Sequence, residues 1–92
     1  MKQIRFLSLA NQEVDDAVQW YQEQSVGLSQ AFLNELDRVV RLISRYPHVA
    51  TMIEPEIRRF LLTRFRYSLI YGIDDKTVVL IAVAHHRRRP KY

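Results

Sequence analysis

Val78-Val79-Leu80-Ile81-Ala82-Val83-Ala84 is an apolar run without one polar side chain. Side chains alternate between the two faces of a strand, so a strand wet on one face shows polar residues at every second position. This run shows none. Both its faces are expected to be buried, which places the strand centrally in a sheet with neighbours on either side. Directly after it come His85-His86-Arg87-Arg88-Arg89-Pro90-Lys91-Tyr92. The segment holds four unit positive charges, two imidazoles and a phenol. A buried strand is therefore expected to deliver a cationic group able to transfer protons to one edge of the fold.

At 92 residues the chain is expected to form a single domain, residues 1–92, with a small core. A composition of 48% hydrophobic and 26% charged residues is that of a water-soluble globular protein. Cysteine is missing, which excludes disulfides, thiolate catalysis and zinc sites built on sulfur. No signal peptide and no membrane-spanning stretch is visible, so a cytoplasmic location without membrane contact is expected. The net charge of +4 is unevenly placed. Residues 6–37 carry six carboxylates and no Lys or Arg, whereas residues 38–92 carry twelve Lys or Arg against four acids. Either this is a segregated solvated surface, or the basic part faces an acidic partner such as nucleic acid or an acidic protein.

Lys2 to Leu7 reads as a strand, with Ile4 and Phe6 as its β-prone residues. Ala10, Val14, Ala17, Val18 and Tyr21 then recur at helical spacing, with Ser8 or Asn11 as the expected cap. Glu13, Asp15 and Asp16 suit the positive end of that helix and otherwise read as a solvated face. Ser25-Val26-Gly27 breaks the pattern, giving an antiparallel helical hairpin. The second helix, from about Leu28 to Arg45, buries Phe32, Leu36, Val39, Val40 and Ile43 and stops at Tyr46-Pro47. Residues 47–56 read as an irregular connection. Strands are expected over Ile57–Thr63, Tyr67–Ile73 and Thr77–Ala84, with Asp74-Asp75-Lys76 turning the last pair. The class is α+β, in the order β-α-α-β-β-β, with the helical hairpin packed on a small, mainly antiparallel sheet.

An ordered set of segments carries a resemblance across nearly the whole chain. It comprises Trp20-Tyr21, Arg45-Tyr46-Pro47, Arg58-Arg59-Phe60-Leu61-Leu62, Phe65-Arg66-Tyr67-Ser68-Leu69-Ile70-Tyr71 and Val78 through Arg88. With these the sequence resembles the RelE/ParE superfamily of toxins of bacterial type II toxin–antitoxin systems, also called plasmid-stabilisation proteins. The resemblance implies a cognate antitoxin that wraps the toxin through an acidic or amphipathic segment, and growth inhibition when the toxin is free. It implies no cofactor. RelE-like members cut mRNA in the ribosomal A site. ParE-like members inhibit DNA gyrase by binding, without chemistry of their own.

RNA cleavage without a metal needs a base for the 2′-OH, cations around the phosphate and an acid for the leaving oxygen. Carried over from the resemblance, His86 falls where RelE-like members place a C-terminal Arg or His, and Tyr92 where some place a Tyr. Arg59 joins them as a candidate catalytic residue. Arg58, Arg64, Arg66, His85, Arg87, Arg88, Arg89 and Lys91 are candidates for contacting nucleic acid or the target. The tail cations have an alternative as a solvated basic end, and the histidines as a polar end to the sheet. Two adjacent histidines without a third ligand make a weak metal signal, and no metal is expected.

Two departures bear on mechanism. Ser68 follows Tyr67 where RelE-like members have Arg, and their lysine pair is missing. Arg stays protonated and makes a poor base, so His85 or His86 would take that role. Because the two are adjacent, they point to opposite faces of an extended chain. The histidines and Tyr92 in the basic cluster favour RNA cleavage, with gyrase binding or a non-toxic antitoxin-binding protein as alternatives.

Overall fold

The computed structural model describes residues 1–87. In chain order the elements are β1 (Gln3–Phe6), α1 (Ser8–Gln24), α2 (Leu28–Arg45), β2 (Thr51–Glu54), β3 (Ile57–Leu61), β4 (Tyr67–Asp74) and β5 (Thr77–His85). One sheet orders its strands β1-β5-β4-β3-β2. β1 runs parallel to β5, and the other neighbours are antiparallel. The expected class is the observed one. The connection after Pro47 differs, because Thr51–Glu54 pairs with β3 as an edge strand. A four-residue strand between two prolines is too short to show periodicity.

Local chemistry places the breaks. Gly27 adopts φ +88°, a left-handed conformation that starts α2 without a Cβ clash. Asp75 takes φ +50° in the β4–β5 turn, and Asp is among the few residues that tolerate it. α1 starts one residue after Leu7, which lacks a capping side chain, so neither Ser8 nor Asn11 is the N-cap. No acid lies in the first turn. Glu13 has a different task. β1 ends at Phe6, and the Leu7 amide makes its last bond, 2.9 Å to the Leu80 carbonyl. Beyond that point β5 has lost its neighbour, and the buried Val83 amide donates instead to Glu13 Oε1 at 2.8 Å. The expected solvated acid thus completes a strand.

The helical hairpin covers one sheet face. Ala10, Ala17, Phe32, Leu36, Val39 and Ile43 meet Tyr67, Leu69, Tyr71, Val78, Leu80 and Val83 there. Tyr21, Phe32, Phe65 and Tyr67 form an aromatic cluster with ring centroids 5.2–6.2 Å apart. Trp20 lies off the stripe, as its spacing predicts, and is 47% exposed. β5 is interior, flanked by β1 and β4, while β4 holds the middle position. One expectation for β5 fails: its second face is not fully buried, since Val79, Ile81 and Ala84 stay partly exposed and Ile81 and Ala84 line an open groove.

Candidate functional site

The groove lies on the sheet face opposite the helices. Ile53, Ile57, Ile70, Ile81 and Ala84 form an aliphatic floor, and Glu54, Arg59, Ser68 and His86 supply its polar groups, with His85 at the margin. Its volume is about 500 Å³. Pairing across the strands sets this face: Arg59 stands opposite Ile70, Ile70 opposite Ala82, and Ser68 opposite Ala84.

A bulge decides which histidine enters. Tyr71 pairs with Leu80 and Ile70 with Ala82, so Ile81 is an extra residue on β5. Val78 and Leu80 face the helices. Unbroken alternation would carry that face on to Ala82, Ala84 and His86. The extra residue reverses the parity, so Val83 and His85 face the helices and Ala84 and His86 face the groove. His85 meets the buried Tyr67 ring edge-on at 5.0 Å. His86 Nε2 lies 2.9 Å from the hydroxyl of the buried Ser68. The His86 amide donates to the Arg66 carbonyl at 2.9 Å, which fixes the backbone there.

The two adjacent arginines separate in the same way. Arg59 reaches the groove. Arg58 stands on the helix side, opposite Tyr71, and its Nη1 donates to the carbonyls of Ala50 (2.8 Å) and His48 (3.3 Å). Its partners are backbone carbonyls, and it holds the α2–β2 connection down. Tyr71 does the same from beneath, its hydroxyl donating to the Pro47 carbonyl at 2.6 Å. Burial pushes that phenol above its ordinary pKa.

The remaining candidates scatter. Arg64 stacks over the Phe65 ring at 5.8 Å and helps to hold the Glu35 carboxyl below its ordinary pKa, after the larger effect of the Arg38 hydrogen bond. Neither Arg64 nor Arg66 lines the groove. Arg87 is exposed, and its amide donates to His85 Nδ1 at 3.1 Å. Arg88, Arg89, Lys91 and Tyr92 lie outside the described residues. Ile53 and Glu54 were not among the sequence candidates, since both belong to the unforeseen β2. Within that segment Thr51-Met52-Ile53 was the available β-prone signal.

The family model for the ParE toxin of type II toxin–antitoxin systems, parDE, matches residues 4–90. The chain belongs to the ParE toxin family. Among solved structures, the toxin is similar to the chromosomal ParDE system from P. aeruginosa, with a TM-score of 0.65 and 14% identity. That match covers 92% of this chain and 96% of the other. It is also similar to the isolated E. coli RelE toxin, with a TM-score of 0.66, 18% identity and coverage of 97% and 88%. At these identities the two structures show the shared fold. Curated protein sequences give no match. The toxin is thus a component of a type II toxin–antitoxin system within the RelE/ParE superfamily, which implies an antitoxin partner. No helix among the described residues is long and apolar enough to cross a membrane.

Proposed function

We propose that the toxin arrests growth by binding a protein target through the sheet groove, in the cytoplasm and as a single domain, and that the target is DNA gyrase. One observation carries this: the groove is aliphatic at its floor and, among the described residues, sparsely charged. Among the described residues Arg59 is its one Lys or Arg and shares it with Glu54, whose carboxylate repels phosphate. A crowded phosphate in an RNA-cleaving site wants several converging cations, yet Arg58 is turned away and Ser68 stands where RelE-like members carry Arg. An apolar floor with a thin polar rim suits a protein side chain better. The family match supports the same branch.

The test pairs two assays on purified toxin. Gyrase supercoiling should fall with added toxin, and Ile53→Glu, which puts a charge on the groove wall, should restore it. Translated mRNA should stay intact in primer extension. New 3′ ends in the ribosomal A site with undisturbed supercoiling would overturn this proposal. RNA cleavage would then take its place, favoured by the Ser68–His86 contact at 2.9 Å. It predicts that His86→Ala with Tyr92→Phe abolishes cutting. Harmless expression without antitoxin would leave an antitoxin-binding protein alone.

A further inference from the structure

At the end of the sheet away from His86, three elements meet around a second cleft of about 470 Å³. Met1, Lys2, Gln3, Ser44, Arg45, Pro47 and Lys76 line it. Lys2 comes from the approach to β1, Arg45 from the last turn of α2, and Lys76 from the β4–β5 turn. Nine residues of β5 separate this cleft from the groove end, roughly 30 Å at about 3.3 Å per residue.

Backbone bonds hold the three elements together. The Lys2 amide donates to the Ser44 carbonyl at 3.0 Å, and the Ser44 hydroxyl donates back to the Lys2 carbonyl. The Gln3 amide donates to the Lys76 carbonyl at 3.0 Å, and Lys2 Nζ donates to the Asp75 carbonyl at 2.5 Å. The cations are thus gathered on a fixed frame.

None of the three is neutralised among the described residues. α2 makes the contrast plain. Arg38 pairs with Glu35 at 2.9 Å and Arg41 with Asp37 at 3.1 Å. Arg45 has Arg41 and Leu42 at the corresponding positions and pairs with no acid. The negative end of the helix dipole accounts for a cation at Arg45. It does not account for Lys2 and Lys76 arriving from two other elements. Asp74 and Asp75 occupy the same turn as Lys76 but do not line the cleft.

We infer that this cleft binds phosphate groups of a nucleic-acid backbone. The cleft is lined by cations from three elements, with Lys2 Nζ anchored on the Asp75 carbonyl; phosphate oxygens accept from several donors at once, whereas a planar carboxylate is satisfied by one guanidinium. An exposed cleft at one end of the molecule also lets a long strand pass, which an enclosed pocket does not.

The experiment is fluorescence anisotropy of the full chain with a short labelled DNA duplex, at about 50 mM and about 200 mM salt. Wild type should bind and weaken with salt. Arg45→Glu with Lys76→Glu should weaken binding at least tenfold. The neutral pair Arg45→Gln with Lys76→Gln should lower the slope of log K against log salt by about two, one for each lost contact. Both sites are exposed, and matched thermal melts confirm the fold. Equal binding by wild type and variants would overturn the inference, as would no binding at low salt. So would displacement of duplex by pyrophosphate or poly-glutamate at much lower concentration than by unlabelled duplex. Those last outcomes would assign the cleft to a free phosphate or to an acidic protein.

Discussion

Glu13 and Tyr71 each complete a piece of backbone that secondary structure leaves unfinished. Burial raises the Glu13 carboxyl above its ordinary pKa, the Val83 amide partly opposes this, and Asp16 adds to it. A raised folded pKa means that the folded chain holds the proton more tightly than the unfolded one. Its ionisation therefore weakens the fold as pH rises from 4.5 through the folded value. Glu13→Gln keeps an acceptor for Val83 and removes the charge. Urea unfolding at neutral pH should show it equal to or more stable than wild type, with the gap closing at pH 4.5. Glu13→Ala should lose about 1–3 kcal/mol, because it leaves a buried amide without a partner. Tyr71→Phe orphans the Pro47 carbonyl and should lose about 1 kcal/mol by the same measurement.

Strand ends sort neighbouring residues into unlike roles. His85→Ala removes an edge-on contact with Tyr67 and should lower stability by about 0.5–1.5 kcal/mol. His86→Ala removes the partner of the buried Ser68 hydroxyl, so a loss of about 1 kcal/mol is expected along with altered docking in the groove. Arg58→Ala frees two carbonyls of the α2–β2 connection and should lose about 1–3 kcal/mol. Arg59→Ala should stay within about 0.5 kcal/mol of wild type and show its effect in growth arrest. Thermal melts of the four variants, beside a toxicity assay, check the pattern. A stability loss from Arg59→Ala equal to that from Arg58→Ala would contradict the two-faced assignment of β3.

At the scale of the whole molecule, two carboxylates pull acid stability in opposite directions. Arg38 holds Glu35 below its ordinary pKa, so the stability Glu35 contributes is present above 4.5 and is lost as pH falls through the folded value. Arg38 is mostly exposed, so the effect is modest. Glu35→Gln should flatten the acid limb of the stability curve, and Glu13→Gln should flatten the decline above 4.5. Charge is segregated on the same scale. The acidic stretch lies in the helical hairpin, while the described cations of the basic part spread over α2 (Arg38, Arg41), the α2–β2 connection (Arg58), the groove (Arg59), the Phe65 loop (Arg64) and the second cleft (Arg45, Lys76). Among the described residues the basic part thus occupies separate positions with separate partners.

The order of the elements other than β2, the helix breaks at Gly27 and Pro47, the Asp75 turn and the interior place of β5 could be read from the sequence. Each leaves a mark within a few residues, where φ preferences and hydrophobic spacing show it. Four matters waited for the tertiary structure: β2, the role of Glu13, the parting of Arg58 from Arg59, and the histidine that reaches the groove. The last shows the reason most clearly. Adjacency told that His85 and His86 point opposite ways, but not which way. That was decided by a single unpaired residue, Ile81, whose bulge arises from pairing with β4 just where β1 ends. Local pattern carries no trace of such a choice, because parity along a strand is set by partners distant in sequence.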